Sequence, residues 1–364
     1  MPEFVFCSDW HLARLTWTKR PEIVGDAIHS LRQVLAFAAR RNIPIVAPGD
    51  LFDTMNPDPE SVVGLLDAVR DAGYSQPIYY TQGQHERDPF KPWLSAASNA
   101  VHVHKKAFNI GGLKFFGLDW APAGEAQENL ANIPAGLDFL VTHQVWTEHM
   151  GSIAKTDASL ADLGQYVPTI LTGDYHVHQI TDNPTPRGVV KLVSPGAISV
   201  RNLGELTPKA FYHWDGSQFV SIALNTRPVV EATIVDDLSF EQVAERALVA
   251  TRVALGQGTP AEIAKPILKV DFPDTYGEIF QQRLPQLREL AHVFENRLST
   301  APEAAQVGQL TEEPVSLLGA VETALPGYSP QIRQNVARLL DSTLAPAAAI
   351  RELAASIESR HAAS

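Results

Sequence analysis

The chain has 364 residues, 45% of them apolar and 19% charged, which excludes a single small module and a wholly disordered chain and fits more than one compact domain. Its net charge is −12, from 29 Lys and Arg against 41 Asp and Glu spread along both halves, so it lacks the cationic footprint of a protein that grips nucleic acid unaided. A single cysteine, Cys7, excludes an internal disulfide and a cysteine-built zinc site and makes a reducing, cytoplasmic location the expectation. The N-terminus lacks a basic stretch followed by an apolar run, and no segment reaches the roughly 18 apolar residues of a membrane span, so the chain is expected to be unanchored.

Strand and helix patterns alternate over the first 200 residues, the mark of a layered α/β fold. EFVFCSD (3–9) reads as a strand, and the spacing of Val24, Ala27, Ile28, Leu31, Leu35 and Ala38 predicts a helix from Pro21. IPIVAPGD (43–50) follows as a buried strand. Asp58-Pro59 starts the next helix and PIYYTQG (77–83) the next strand. VHVHKKAFNIGGLKFFGLDW (101–120) alternates and turns at Gly111-Gly112, which predicts antiparallel strands. LDFLVTH (137–143), TILTGD (169–174) and VVKLVSPG (189–196) are further strands, and FYHWDGSQFVSIAL (211–224) is a hairpin about Asp215-Gly216. After Arg227-Pro228 a strand, a helix over 239–255, the strand PILKVDF (266–272) and a helix over 275–290 predict a small α/β domain.

Metal-ligand residue types stand behind these strands. Asp9 and His11 follow the first, Gly49-Asp50-Leu51-Phe52-Asp53 the second, and Gly83-Gln84-His85-Glu86 the third. His143 ends a fourth, and Gly173-Asp174-Tyr175-His176-Val177-His178 follows a fifth. Each motif alone is weak, since a polar residue at a strand end commonly caps a turn. Together they predict one crevice at the carboxyl edges of the strands. Carboxylate, amide and imidazole donors without thiolates suit manganese, iron or zinc in a catalytic setting. Two such cations about 4 Å apart bind both ends of a phosphoryl displacement, which makes a phosphoester the expected substrate. Trp10, between two of these residues, is the tryptophan best placed to line the cleft. His102 and His104, beside Lys105-Lys106, read as a solvent-facing edge.

This order of motifs resembles the calcineurin-like metallophosphoesterases. The GDLFD run, Gln179 six residues after Gly173, the Ser194-Pro195-Gly196 turn and the Arg227-Pro228 exit are similar to one branch, the SbcD-type nuclease subunits of double-strand-break repair complexes. The resemblance implies two mixed β-sheets flanked by helices, with a small α/β capping domain and a helical C-terminal tail. Its implied layout is a dinuclear nuclease domain over 1–227, a capping and DNA-contact domain over 228–299, a linker over 300–313 and a tail over 314–364 that docks on a partner.

Carried over by motif, the resemblance implies that Asp9, His11 and His176 hold one cation and Gln84, His143 and Asp174 the other, with Asp50 bridging. His85 then faces the scissile phosphate, Asp53, Glu86 and Gln179 stand behind the ligands, and His178 is a possible additional ligand. The family has Asn where this chain has Gln84 and His where it has Asp174; the second exchange puts an anionic oxygen in place of a nitrogen and favours harder ions, manganese first and magnesium second. The implied activity is DNA exonuclease and endonuclease cleavage by a homodimer working with an SbcC-like coiled-coil ATPase, away from membranes. Two other classes stay open at this point: a phosphodiesterase or phosphatase for nucleotides or other small phosphoesters, and a catalytically weak scaffold of the same fold.

Overall fold

The computed structural model describes residues 1–17, 20–86, 93–150, 156–205 and 208–298. In chain order the strands and helices are β1 (Phe4–Phe6), β2 (Leu15–Trp17), β3 (Arg20–Val24), α1 (Asp26–Arg41), β4 (Ile45–Pro48), α2 (Pro59–Asp71), β5 (Ile78–Thr81), β6 (Ala100–His102), β7 (Lys106–Ile110) and β8 (Leu113–Leu118). They continue with α3 (Ala123–Ala131), β9 (Phe139–His143), α4 (Thr147–Met150), β10 (Thr169–Gly173), β11 (Gln179–Thr185), β12 (Gly188–Ser194), β13 (Ala210–Trp214) and β14 (Phe219–Ala223). The last group is β15 (Val229–Thr233), α5 (Asp237–Gly256), α6 (Ala261–Ala264), β16 (Ile267–Pro273), α7 (Gly277–Leu290) and β17 (His292–Leu298).

Two six-stranded mixed sheets, ordered β14-β13-β1-β4-β5-β6 and β11-β12-β10-β9-β8-β7, carry the fold. Successive side chains of a strand point to opposite faces, and the chain uses both. Phe4 and Phe6 of β1 and Val46 of β4 meet Phe115, Phe139, Val141, Leu171 and Val193 of the second sheet in one buried cluster. Val5, Ile45 and Ala47, one residue out of phase, join Leu31, Val34 and Leu35 of α1 on the outer face. Leu140, Ile170 and Leu192 do the same beneath Leu130 of α3. The result is helix, sheet, sheet, helix. Phe115 stacks on Phe139 at 4.7 Å, and Phe4 meets both edge-on at 5.4 and 5.5 Å, arrangements that each add about 1 kcal/mol to the burial of the rings.

Beyond Pro228, β15, β16 and β17 form a parallel three-stranded sheet. Leu268, Val270 and Phe272 of β16 pack with Phe240 and Val243 of α5 and Phe280, Leu284 and Leu287 of α7 in a separate core. Arg227, 2% exposed, joins this unit to the first: its guanidinium donates to both Asp26 carboxylate oxygens at 2.8 and 3.2 Å and to the carbonyls of Glu262 and Lys265.

The structure departs from the sequence reading at five points. Residues 20–24 form a strand paired with β2, and α1 starts at Asp26, because Gly25 takes φ 81° and Val24 turns outward. β11 was not foreseen, since its polar, proline-containing run pairs as an edge strand with only every second residue half-buried; β17 was not foreseen because no turn signal separates it from α7. β6, with His102, does form the edge of its sheet, but the imidazoles are not free in solvent: His102 Nε2 lies 2.9 Å from both oxygens of Asp119, and His104 Nδ1 accepts the Asp119 amide. Trp10 is fully buried, with its indole N–H on Cys7 Sγ. The linker and tail expected over 300–364 lie outside the described residues. No helix among the described residues is long and apolar enough to cross a membrane.

Candidate metal centre

The parallel strands β1, β4 and β5 of one sheet and β9 and β10 of the other end side by side, and their exits interlock. Asp9 N donates to Gly49 O at 3.2 Å, His11 N to Asp50 O at 2.9 Å and Gly49 N to Thr81 O at 3.1 Å. Asp9, His11, Asp50 and Asp174 all have left-handed backbones, with φ of 51°, 45°, 49° and 73°. Such conformations cost up to about 1–3 kcal/mol for a non-glycine residue and persist where the surroundings fix them. Two glycines make the approach possible: a Cβ on Gly83 would stand 2.0 Å from Asp50 Oδ1, and one on Gly49, itself at φ 73°, 2.3 Å from His143 Nδ1.

Four histidines are oriented alike. Each turns Nδ1 to an oxygen: His11 to Asp53 Oδ1 at 3.1 Å, His85 to the Asp53 carbonyl at 3.0 Å, His143 to the Pro48 carbonyl at 2.8 Å, and His176 to Glu205 Oε1 at 3.0 Å. Their Nε2 atoms therefore converge. Those of His11 and His176 are 3.1 Å apart, and Asp50 Oδ2 lies 3.4 Å from His143 Nε2, 3.7 Å from His85 Nε2 and 3.9 Å from His11 Nε2. Asp9 Oδ1 lies 3.5 Å from His176 Nε2. Exposure separates the four: the His143 and His11 side chains are 0% and 3% exposed and His176 27%, while His85 is 43% exposed at the mouth.

Electrostatics follows from crowding. Burial pushes the Asp9 carboxyl up, but the hydrogen bond from His176 and the charges of His143, His176 and His11 outweigh it and hold Asp9 below the usual carboxylate range. Burial acts against protonating His176, yet Asp9 and Glu205 on either side raise it to about 10. Asp174 is raised by burial, against the opposing effects of His143 and the Gln84 amide, which donates to it at 2.9 Å. Glu86, fully enclosed, is pushed up to about 8 by burial and the nearby Asp50 charge, and accepts from the amides of Phe52 and Gly83.

Most of the residues singled out in the sequence meet here: Asp9, His11, Asp50, Asp53, Gln84, His85, His143, Asp174 and His176. Glu86 lies beneath them, tying two exits together. His178 turns away, its Nδ1 on the Pro195 carbonyl, its Nε2 on Ser221 Oγ and its ring stacked on Tyr212 at 4.1 Å. Gln179 opens β11 opposite Ser194. Sequence reasoning missed Arg201, whose guanidinium reaches Asp53, and Glu205 with Lys209; three charged residues at four-residue intervals after the Ser194-Pro195-Gly196 turn were the only signal.

The donor set fits a pair of divalent cations. Ligand atoms of Asp9, His11 and His176 all lie within 4.8 Å of one another, as do those of Asp9, Asp50 and His143. Three buried atoms of this donor set, Asp50 Oδ2, Gln84 Oε1 and His143 Nε2, have no hydrogen-bond partner among the described residues. Leaving one such atom unsatisfied costs about 1–3 kcal/mol, and three together on donors of oxygen and nitrogen type are what cation ligands look like without their ion. Comparison with curated proteins gives no match. A family model, the calcineurin-like phosphoesterases, matches residues 2–195, the stretch that contains every proposed cation ligand. With that match over more than half of the chain, and the two-sheet architecture beneath it, the protein belongs to the calcineurin-like phosphoesterases, metal-dependent hydrolases of phosphoesters.

Proposed function

We propose that this chain is a two-cation phosphodiesterase that cuts DNA, working as a homodimer with an SbcC-like coiled-coil ATPase. The convergence of histidine Nε2 atoms about Asp50 carries the two-cation part of the reading. Asp9, His11 and His176 would hold one cation and Gln84, His143 and Asp174 the other, with Asp50, whose Oδ2 faces His11, His85 and His143, the carboxylate common to both. When bound, such a pair supplies Lewis-acid stabilisation of phosphoryl charge and a nucleophile at neutral pH; hard oxygen donors favour manganese or magnesium.

His85 is the residue left for the substrate. Its ring is the most exposed of the four, and the Asp53 carbonyl fixes its Nδ1–H, so its Nε2 faces the place of reaction. Protonated there, it hydrogen-bonds a phosphoryl oxygen or gives its proton to the leaving oxygen. Buried His143 and His11 are spared that role.

DNA as substrate is supported by the SbcD-like motifs and by the parallel-sheet unit over 229–298, which a minimal phosphatase does not need. That unit reaches the centre's surroundings through Lys269 Nζ, 3.4 Å from the Leu203 carbonyl. The charge of −12 fits a chain whose partner supplies the cationic DNA surface. The test is manganese-stimulated cleavage of linear duplex and single-stranded DNA, with Asp50→Ala as the inactive control. Hydrolysis of small phosphate esters without DNA cleavage would replace this reading with a nucleotide or small-phosphoester hydrolase, and metal binding without hydrolysis with a scaffold. A chain ending at Ser299 is expected to keep cleaving short single strands and to lose the ATPase.

A further inference from the structure

The segment that follows β12 returns to the metal centre twice. Arg201 Nη2 donates to Asp53 Oδ1, the oxygen that also faces His11 Nδ1. Four residues on, Glu205 Oε1 faces His176 Nδ1 at 3.0 Å and accepts from Asn202 Nδ2 at 3.1 Å, while its Oε2 accepts from Lys209 Nζ at 2.6 Å and from the Arg201 amide at 2.9 Å. A carboxylate has about four acceptor positions. Here four donors use them all, so the group has no freedom to turn.

The Glu205 and Lys209 side chains are 6% and 4% exposed. Burying such a pair costs desolvation that its mutual attraction does little more than offset, so stability alone does not account for it. Its effect on His176 does. An ionised carboxylate only accepts hydrogen bonds, so the imidazole nitrogen facing Glu205 must carry a hydrogen, which leaves the other nitrogen as the one that gives up its proton to bind a cation.

We propose that Glu205, clamped by Lys209, is the positioning residue of His176, fixing Nδ1–H so that Nε2 is presented, with Asp9 and His11, to the first of the two cations. The proposal rests on the two-cation reading above. Its consequence is one-sided: His143 is oriented by the Pro48 carbonyl, and Gln84 and Asp174 by each other, so the second cation does not depend on this segment.

The experiment is titration of the metal-free full-length protein with Mn2+ by calorimetry, with metal content counted after desalting. Glu205→Gln alone leaves Lys209 buried without a counter-charge and can unfold the chain, so the working variant is E205Q/K209M, which removes both charges and keeps the shape. One of the two binding equilibria is expected to weaken by about 10–100-fold, as for other residues that orient metal-bound histidines, while the other is unchanged. Asp174→Asn is expected to weaken the opposite one. Nitrogen-15 histidine spectra with Mg2+ present should show a single Nδ1–H form of His176 in the wild type and a tautomer mixture in the variant. Unchanged binding at both sites overturns the proposal, as does an equal loss at both in a folded variant, which is the signature of a structural role. Wild-type protein binding fewer than two cations overturns the two-cation reading itself, and that result shows before any variant is made.

Discussion

Replacing Arg227 by Met keeps most of the side-chain volume and removes the charge that joins the two cores. The structure sets the size of the effect. Arg227 is 2% exposed and the Asp26 side chain 8%, the guanidinium contacts both carboxylate oxygens, its Nη1 donates to the carbonyls of Glu262 and Lys265 at 2.7 and 2.8 Å, and its Nη2 also donates to the Val24 carbonyl at 3.5 Å. Breaking a buried pair from one side leaves an uncompensated charge and costs about 3–5 kcal/mol. Because the loss falls on the junction, it is expected to appear first as local opening of β15–β17. Backbone amides there should exchange hydrogen about 10²–10⁴-fold faster, by the tenfold per 1.4 kcal/mol conversion. Mass-resolved hydrogen exchange measures this peptide by peptide. The double variant D26N/R227M removes both charges and should recover at least about 1 kcal/mol of the sum of the single losses. Exchange in residues 229–298 that matches the wild type in Arg227→Met, or strictly additive single effects, would refute the reasoning.

His85→Ala should retain both cations and lower turnover by about 10²–10⁴-fold, read by metal counting alongside rate; loss of metal in step with Asp50→Ala would place His85 among the ligands. Asp174→Asn should reduce occupancy at one cation and leave the other, and coordinates with two metals bound and the carboxylate pointing away from both would remove Asp174 from the set. His292 carries a pH prediction: burial first, and then the Arg227 and Lys265 charges, lower it from 6.5 to about 4. Its folded value lies below the unfolded one, so the unfolded chain binds more protons between those values, and stability present in full above about pH 6.5 is lost as pH falls toward 4. Urea unfolding midpoints measured across that window should fall with pH, and His292→Asn should flatten the trend; an unchanged slope would remove His292 as its source.

The sequence by itself determined the layered sheets and the order of the groups that end their strands. Alternation such as Phe4-Val5-Phe6 is a local property that assigns each side chain a face, and Asp9, Asp50, His143 and Asp174 sit at strand ends because short apolar runs stop there. Chain direction then brings them together, since parallel neighbours end at one edge. What short-range pattern leaves open is orientation. His176 and His178 are two residues apart and equivalent in composition, yet one turns to Asp9 and Glu205 and the other to Pro195 and Ser221. That choice, like the pairing of His102 and His104 with Asp119 and the polar edge strand β11, depends on partners fixed only once the sheets have packed. Tertiary structure alone decided which nitrogen of each histidine points inward, because the oxygen that takes the other nitrogen comes from 29 residues away for His176, 42 for His11 and 95 for His143.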